Sequence, residues 1–257
     1  MGAIRVDALR KSYGSVEAVA DMSFTVERGE LYGFLGPNGA GKTTTIRILT
    51  GQINPDSGDV SVLDTDPVAE PIETRRRVGI LPEQGMPPSF LTPREYFEFV
   101  GEVRNLSPKR VETQTDAWAA RLGFESKLDT LHTDLSRGQQ QKVMITQAFI
   151  HEPAVVFIDE PLANLDPLVQ EQVKQFLVSY AAGDNAVFVS THNIDVAEAI
   201  CTRVGIVADG RLVTERSLTG DARDGSEGDE SLLEIFLERV EDEDTRDVPT
   251  LERTGAQ

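Results

Sequence analysis

The 257 residues carry 43 Asp and Glu against 25 Lys and Arg, a formal net charge of −18 at pH 7. A surface of that sign repels a phosphate backbone on average, so no nucleic-acid partner is expected, and the single cysteine, Cys201, excludes an internal disulfide and fits a reducing compartment. No apolar run approaches the ~18 residues that cross a bilayer and the start lacks a signal-peptide pattern, so the chain reads as soluble.

Taken in chain order, the first strand signals lie near Met22 to Val26 and at the apolar run Leu31-Tyr32-Gly33-Phe34-Leu35. The loop that follows, GPNGAGKTT from Gly36 to Thr44, fits G-x-x-x-x-G-K-[ST]. Its glycines let successive backbone N–H groups turn toward a β-phosphate, while Lys42 supplies a charge between the outer phosphates. A helix opening at Gly41 and carrying Ile46, Ile48 and Leu49 adds the positive end of its dipole. Gly36, Asn38, Gly39, Gly41, Lys42, Thr43 and Thr44 are therefore candidate ATP contacts, and the Thr43 hydroxyl is a candidate magnesium ligand.

A strand is expected near Asp59 to Leu63, then the segment Leu81-Pro82-Glu83-Gln84 and a proline-rich turn, Met86 to Leu91. From about Met86 to Ala148 the pattern is mostly helical, with helices over Arg94–Val103 and Lys109–Leu122, which marks an inserted helical subdomain. Ser136 in LSRGQ (Leu135 to Gln139) is placed to cap the next helix, so its hydroxyl, the N–H groups around Gly138 and the helix dipole converge on an anion.

AVVFIDE, Ala154 to Glu160, reads as a strand buried on both faces of a parallel sheet, with its two acids at the strand's carboxyl end. Ligands of open α/β sheets bind at that edge, so Asp159 is a candidate holder of Mg2+ and Glu160 a candidate to polarise an attacking water. His192 follows the apolar strand Val187-Phe188-Val189 at the same edge, within reach of a γ-phosphate. Val204–Ala208 and Arg211–Thr214 flank Asp209-Gly210, a hairpin signal. Residues 219–230 are rich in Gly, Asp and Ser and read as a linker. Leu232, Leu233, Phe236, Leu237 and Val240 recur at helical spacing, giving an amphipathic helix over 231–241 that either docks on its own domain or self-associates, before an acidic tail, 242–257.

Taken together, these motifs resemble the nucleotide-binding subunit of an ATP-binding cassette (ABC) transporter. LSRGQQQK looks like the family's signature segment, ANLD (Ala163 to Asp166) like its D-loop and His192 like its switch histidine, in family order over about residues 1–215. The resemblance implies an α/β P-loop NTPase core of mainly parallel sheet, an antiparallel N-terminal β part and the helical insertion, all within 1–218. It also implies a head-to-tail pair in which Ser136, Gly138 and Gln139 of one copy close over ATP held by Lys42 of the other, with Asp166 communicating between sites. Tyr13 stands where the family places an adenine-stacking aromatic, with an edge-of-sheet tyrosine as the competing reading. Two positions depart from the family pattern. Glu83, rather than the usual glutamine, occupies the magnesium-linked position, with Gln84 beside it, so either can be the ligand; Arg137 replaces the first signature glycine.

A transporter subunit of this kind implies separate transmembrane permease subunits, a peripheral position on the cytoplasmic face of the membrane, and the Met86–Leu91 turn as candidate contact or as a loop packed on its own helices. The short carboxyl extension and the LPEQ and LSRGQ wording look more like exporters than importers. A soluble ABC ATPase of cofactor assembly would share every nucleotide motif. Excess carboxylate with scarce lysine also resembles proteins of salt-loving microbes, in which salt screens self-repulsion.

Overall fold

A computed structural model describes residues 2–160, 162, 165–218, 232–234 and 236. The chain divides into a main unit, Met1–Thr219, and a second, Gly220–Gln257. In the second, only 232–234 and 236 are described, all helical, so the expected linker, the rest of the amphipathic helix and the acidic tail lie outside the described residues.

In the main unit, β1 (Ile4–Tyr13), β2 (Val16–Val26) and β4 (Ser57–Val62) form an antiparallel sheet in the order β2-β1-β4. A second sheet runs β5-β6-β7-β3-β8-β9, where β3 is Leu31–Leu35, β5 Val78–Leu81, β6 Val155–Asp159, β7 Ala186–Thr191, β8 Arg203–Ala208 and β9 Arg211–Ser217. Its pairings are parallel except β8 with β9, which are joined through the expected hairpin, where Asp209 and Gly210 have φ of 45° and 72°. β3, β6 and β7 are buried at every position, as strands covered on both faces must be. Phe24 of the first sheet packs on Tyr32, Phe34 and Phe188 of the second with ring centroids 5.5–5.9 Å apart, so aromatic contact joins the two sheets.

β1 was not evident from periodicity, and the structure explains why. An extra residue between Val6 and Leu9, with Ala8 at φ 48°, breaks the alternation, and two further register shifts follow. One of these leaves Ala18 of β2 without a partner, because Lys11 faces Val19 and Ser12 faces Glu17.

Helix α1 (Lys42–Leu49) follows β3, and α2 (Pro71–Arg77) precedes β5. Between β5 and β6 come α3 (Pro93–Val103), α4 (Pro108–Leu122) and α5 (Arg137–Phe149). Thr92 and Glu95 form a reciprocal capping box at the start of α3, Ser107 caps α4, and Gly123 ends α4 in the left-handed region. Trp118 of α4 packs edge-on against Phe176 of α6 (Pro167–Ala182) at 4.7 Å, and α7 (Ile194–Ile200) leads into β8.

Candidate nucleotide site

A cleft of about 210 Å³ at the carboxyl ends of β3, β6 and β7 gathers most of the residues expected from the sequence: Asn38, Gly39, Gly41, Lys42, Thr43 and Thr44 from the loop, with Glu83, Asp159, Glu160 and His192. A larger hollow of about 740 Å³ lies between α3 and α4, but it holds neither the glycine loop nor the strand-end acids.

Glycine is required where this loop turns. At Gly36 a Cβ would stand 2.3 Å from the Val207 carbonyl oxygen, and at Gly41, whose φ is 95°, 2.2 Å from that of Ala18. No side chain caps α1 at Gly41, so no cap competes with an anion for the first N–H groups of the helix. Lys42 is 7% exposed and its Nζ donates to the Gly36 and Pro37 carbonyls, each at 2.8 Å, which leaves one of its three donors. Burial lowers its pKa, against the pull of the Glu160, Asp159 and Glu83 carboxylates.

Asp159 is 6% exposed and its two oxygens have separate partners: Thr43 Oγ1 donates to Oδ2 at 2.8 Å and Ser190 Oγ donates to Oδ1. Ser190 was not anticipated from the sequence. The signal was a pair of hydroxyl residues, Ser190 and Thr191, closing the apolar run of β7, where Ser190 pairs with Asp159 across the sheet.

Glu160 lies just past β6 at φ 55°, a left-handed conformation that costs ~1–3 kcal/mol for a residue with a side chain. Its N–H donates to the Ser190 carbonyl, and its carboxylate accepts from the His192 N–H at 3.0 Å and from Thr191 Oγ1 at 3.1 Å. The His192 ring closes the set, with Nδ1 2.6 Å from Glu160 Oε1. A carboxylate only accepts, so Nδ1 carries the proton of this bond and Nε2 faces away from it.

The family profile described as ABC transporter matches residues 19–163, which contain the glycine loop, the signature segment and the strand-end acids.

The chain belongs to the ABC transporter family.

It is an ATP-binding subunit of this family, an ATPase whose hydrolysis serves transport. Among its relatives is the Nod factor export ATP-binding protein I of Bradyrhizobium diazoefficiens, 34% identical over 83% of this chain and 70% of that one. A solved ATP-binding subunit of an ABC transporter superposes with a TM-score of 0.80 at 30% identity, covering 84% of this chain and 90% of that one. A bacterial ABC transporter cassette solved as a dimer gives a TM-score of 0.76 at 25% identity over 84% and 99%. The comparisons lend no support to a salt-loving source.

The ABC signature residues do not line the chain's own nucleotide cleft. Ser136 caps α5 from an exposed position and accepts from Gln139 N at 3.3 Å, while Gln139 Oε1 accepts from Ser136 N at 2.9 Å. Asp166 caps α6 by accepting from Val169 N at 3.1 Å; Ala163 and Asn164 of the same motif lie outside the described residues. Tyr13 also lies outside the cleft lining and is 49% exposed at the end of β1. It pairs with Val16, two residues from the unpaired Ala18, which does line the cleft.

Proposed function

We propose that two copies of this chain close head to tail around two Mg-ATP and drive separate membrane permease subunits, in the direction of export. The observation that carries this reading is the split of the ATP machinery. One cleft holds Lys42, Asp159, Glu160 and His192, while Ser136 and Gly138 present an exposed helix N-terminus elsewhere on the same chain. Two half-sites on one chain are completed by a second copy. The dimeric cassette among the structural neighbours and the export role of the Nod factor relative support the same reading. Cofactor assembly has no such support.

In this mechanism the N–H groups of Gly39 to Thr44 bind the phosphates, and the free donor of Lys42 reaches the outer two. Tyr13 stacks on adenine at the rim. Hard oxygens suit Mg2+: Asp159 and Thr43 already share a hydrogen bond, and Glu83, rather than Gln84, lines the cleft beside them. Among the described residues no cluster of three or more acids, His or Cys is placed to hold a metal. When bound, the ion would neutralise charge on the β- and γ-phosphates. Glu160 takes a proton from the attacking water, while His192 holds Glu160 in place and meets the γ-phosphate. Gln139 steadies Ser136 through the capping box, and Asp166 at the start of α6 links the two sites. Closing the pair needs ~5.5 kcal/mol of differential binding, within reach of several charge-assisted bonds at two sites.

The ATPase domain is 1–218, with the helical subdomain at about 86–148 facing the permease from the cytoplasmic side of the membrane. No helix among the described residues is long and apolar enough to cross one. Glu160→Gln tests the core of the reading. Turnover is expected to fall ~10²–10⁴-fold, and Mg-ATP to hold the variant as a dimer on sizing; near-normal hydrolysis would remove Glu160 from its role.

A further inference from the structure

We propose that Asp56 and Lys11 form a clamp that positions Tyr13, so that one face of its ring is fixed and the other is presented to the nucleobase. The inference rests on the reading of Tyr13 as the adenine platform and adds the residues that hold it. Tyr13 ends β1 at a two-residue turn, Gly14-Ser15, with Gly14 at φ 61°, and half of its surface is open to solvent. A tyrosine on a hairpin tip has little of its own to hold it, and Val16, its partner across the strands, is 64% exposed.

The hold comes from outside the hairpin. Asp56, in the segment leading into β4, accepts from Lys11 Nζ at 2.8 Å through Oδ1 and from Ser12 N at 2.7 Å through Oδ2. Its own N–H donates to the Arg10 carbonyl at 2.9 Å. Three consecutive residues of β1 are thus tied to one aspartate, immediately before Tyr13. Lys11 Nζ also lies over the Tyr13 ring, 5.7 Å from its centroid, at cation–π range. Its side chain is 18% exposed, far less than a free surface lysine. The bonds from Lys11 and Ser12 hold the Asp56 carboxyl below the ordinary carboxylate range, which favours its charged form as the partner of both.

An isolated surface ion pair contributes little, because two long side chains must be ordered for it. Here the ordering is the function: a platform already in place loses no rotamer freedom when the base arrives. The register supports the placement. Lys11 pairs with Val19 and Ser12 with Glu17, so the clamped residues face the strand segment from which Ala18 reaches the phosphate cleft.

The test uses the full chain and two ligands, ATP and inorganic tripolyphosphate, which has no base. Tyr13→Ala is expected to raise KM for ATP by roughly tenfold, the scale of one lost base stack. Asp56→Ala and Lys11→Met are expected to raise it about threefold with kcat nearly unchanged, to leave inhibition by tripolyphosphate as in the parent, and to add little when combined with Tyr13→Ala. Asp56→Asn, which keeps an acceptor for Ser12 N and removes the charge, is expected to fall between parent and Asp56→Ala and serves if Asp56→Ala does not fold. If KM responds to Tyr13→Ala but not to the Asp56 and Lys11 variants, or if tripolyphosphate binding weakens in parallel, the clamp is overturned and the platform stands. If Tyr13→Ala leaves KM unchanged, the platform itself is wrong and the clamp falls with it.

Discussion

His151 shows how one side chain sets a pH limit on the molecule. It is held among Arg104, whose Nη1 lies 2.7 Å from Nε2, and the Val78 carbonyl at 3.1 Å; its Nδ1 has no hydrogen-bond partner. Burial, then the Arg104 charge, lowers its pKa to about 3. The unfolded chain, with an ordinary imidazole near 6.5, binds a proton that the folded chain refuses. The folded pKa being the lower one, the stability is complete above about pH 6.5 and declines as pH falls toward 3, at up to ~1.4 kcal/mol per pH unit. Burial lowers the pKa of His132 in the same direction. His151→Leu is therefore expected to show a shallower loss of urea midpoint than the parent between pH 6.5 and 5, above the range where most carboxylates titrate. Equal slopes would show that His151 does not set this limb.

At the scale of elements, the turn from Met86 to Leu91 has the form of a docking tip. Met86 and Phe90 are 75% and 76% exposed. Two prolines restrict the backbone between them, and the turn is pinned from beneath: His132 Nδ1 lies 3.0 Å from the Pro88 carbonyl and His132 N–H donates to the Leu91 carbonyl at 3.1 Å. Exposed apolar side chains on a turn pinned in this way are what the proposed permease contact would use. Met86→Asp with Phe90→Asp is expected to leave ATP hydrolysis by the isolated chain within about twofold, since neither side chain lines the nucleotide cleft, and to abolish stimulated transport with the permease. Transport at the parent's rate would return the turn to a structural role. Elements differed sharply in how far the sequence revealed them. β3, β6 and the phosphate loop were legible because burial on both faces and a backbone that excludes Cβ atoms each leave a compositional mark. β1 was hidden by its bulges, and the Ser190 bond to Asp159 was hidden because register between distant strands is not written in either one. The Glu160–His192 pair was legible as two residues at one sheet edge, but their direct contact follows from the left-handed turn at Glu160, which no local pattern announces.

For the whole molecule, the dominant fact is the charge of −18, and its distribution matters. Residues 219–257 hold thirteen acidic and four basic residues, which is half of the net charge in about a seventh of the chain. In the proposed dimer two such chains approach so that each completes the other's site, and mutual repulsion would oppose the step that ATP drives. Salt shortens the screening length from ~10 Å at 0.1 M to ~3 Å at 1 M, which weakens long-range repulsion far more than buried contacts to phosphate. Potassium chloride is therefore expected to raise both the unfolding temperature of the chain and the Mg-ATP-dependent dimer fraction of Glu160→Gln between 0.05 and 1 M. A chain ending at Thr219 carries half the charge and is expected to respond less in both measurements. The sign separates two pictures of assembly. An interface held chiefly by exposed ion pairs between copies would lose dimer as salt rises, whereas one held by nucleotide sandwiched between Lys42 and the opposing Ser136, against a background of like charge, gains it.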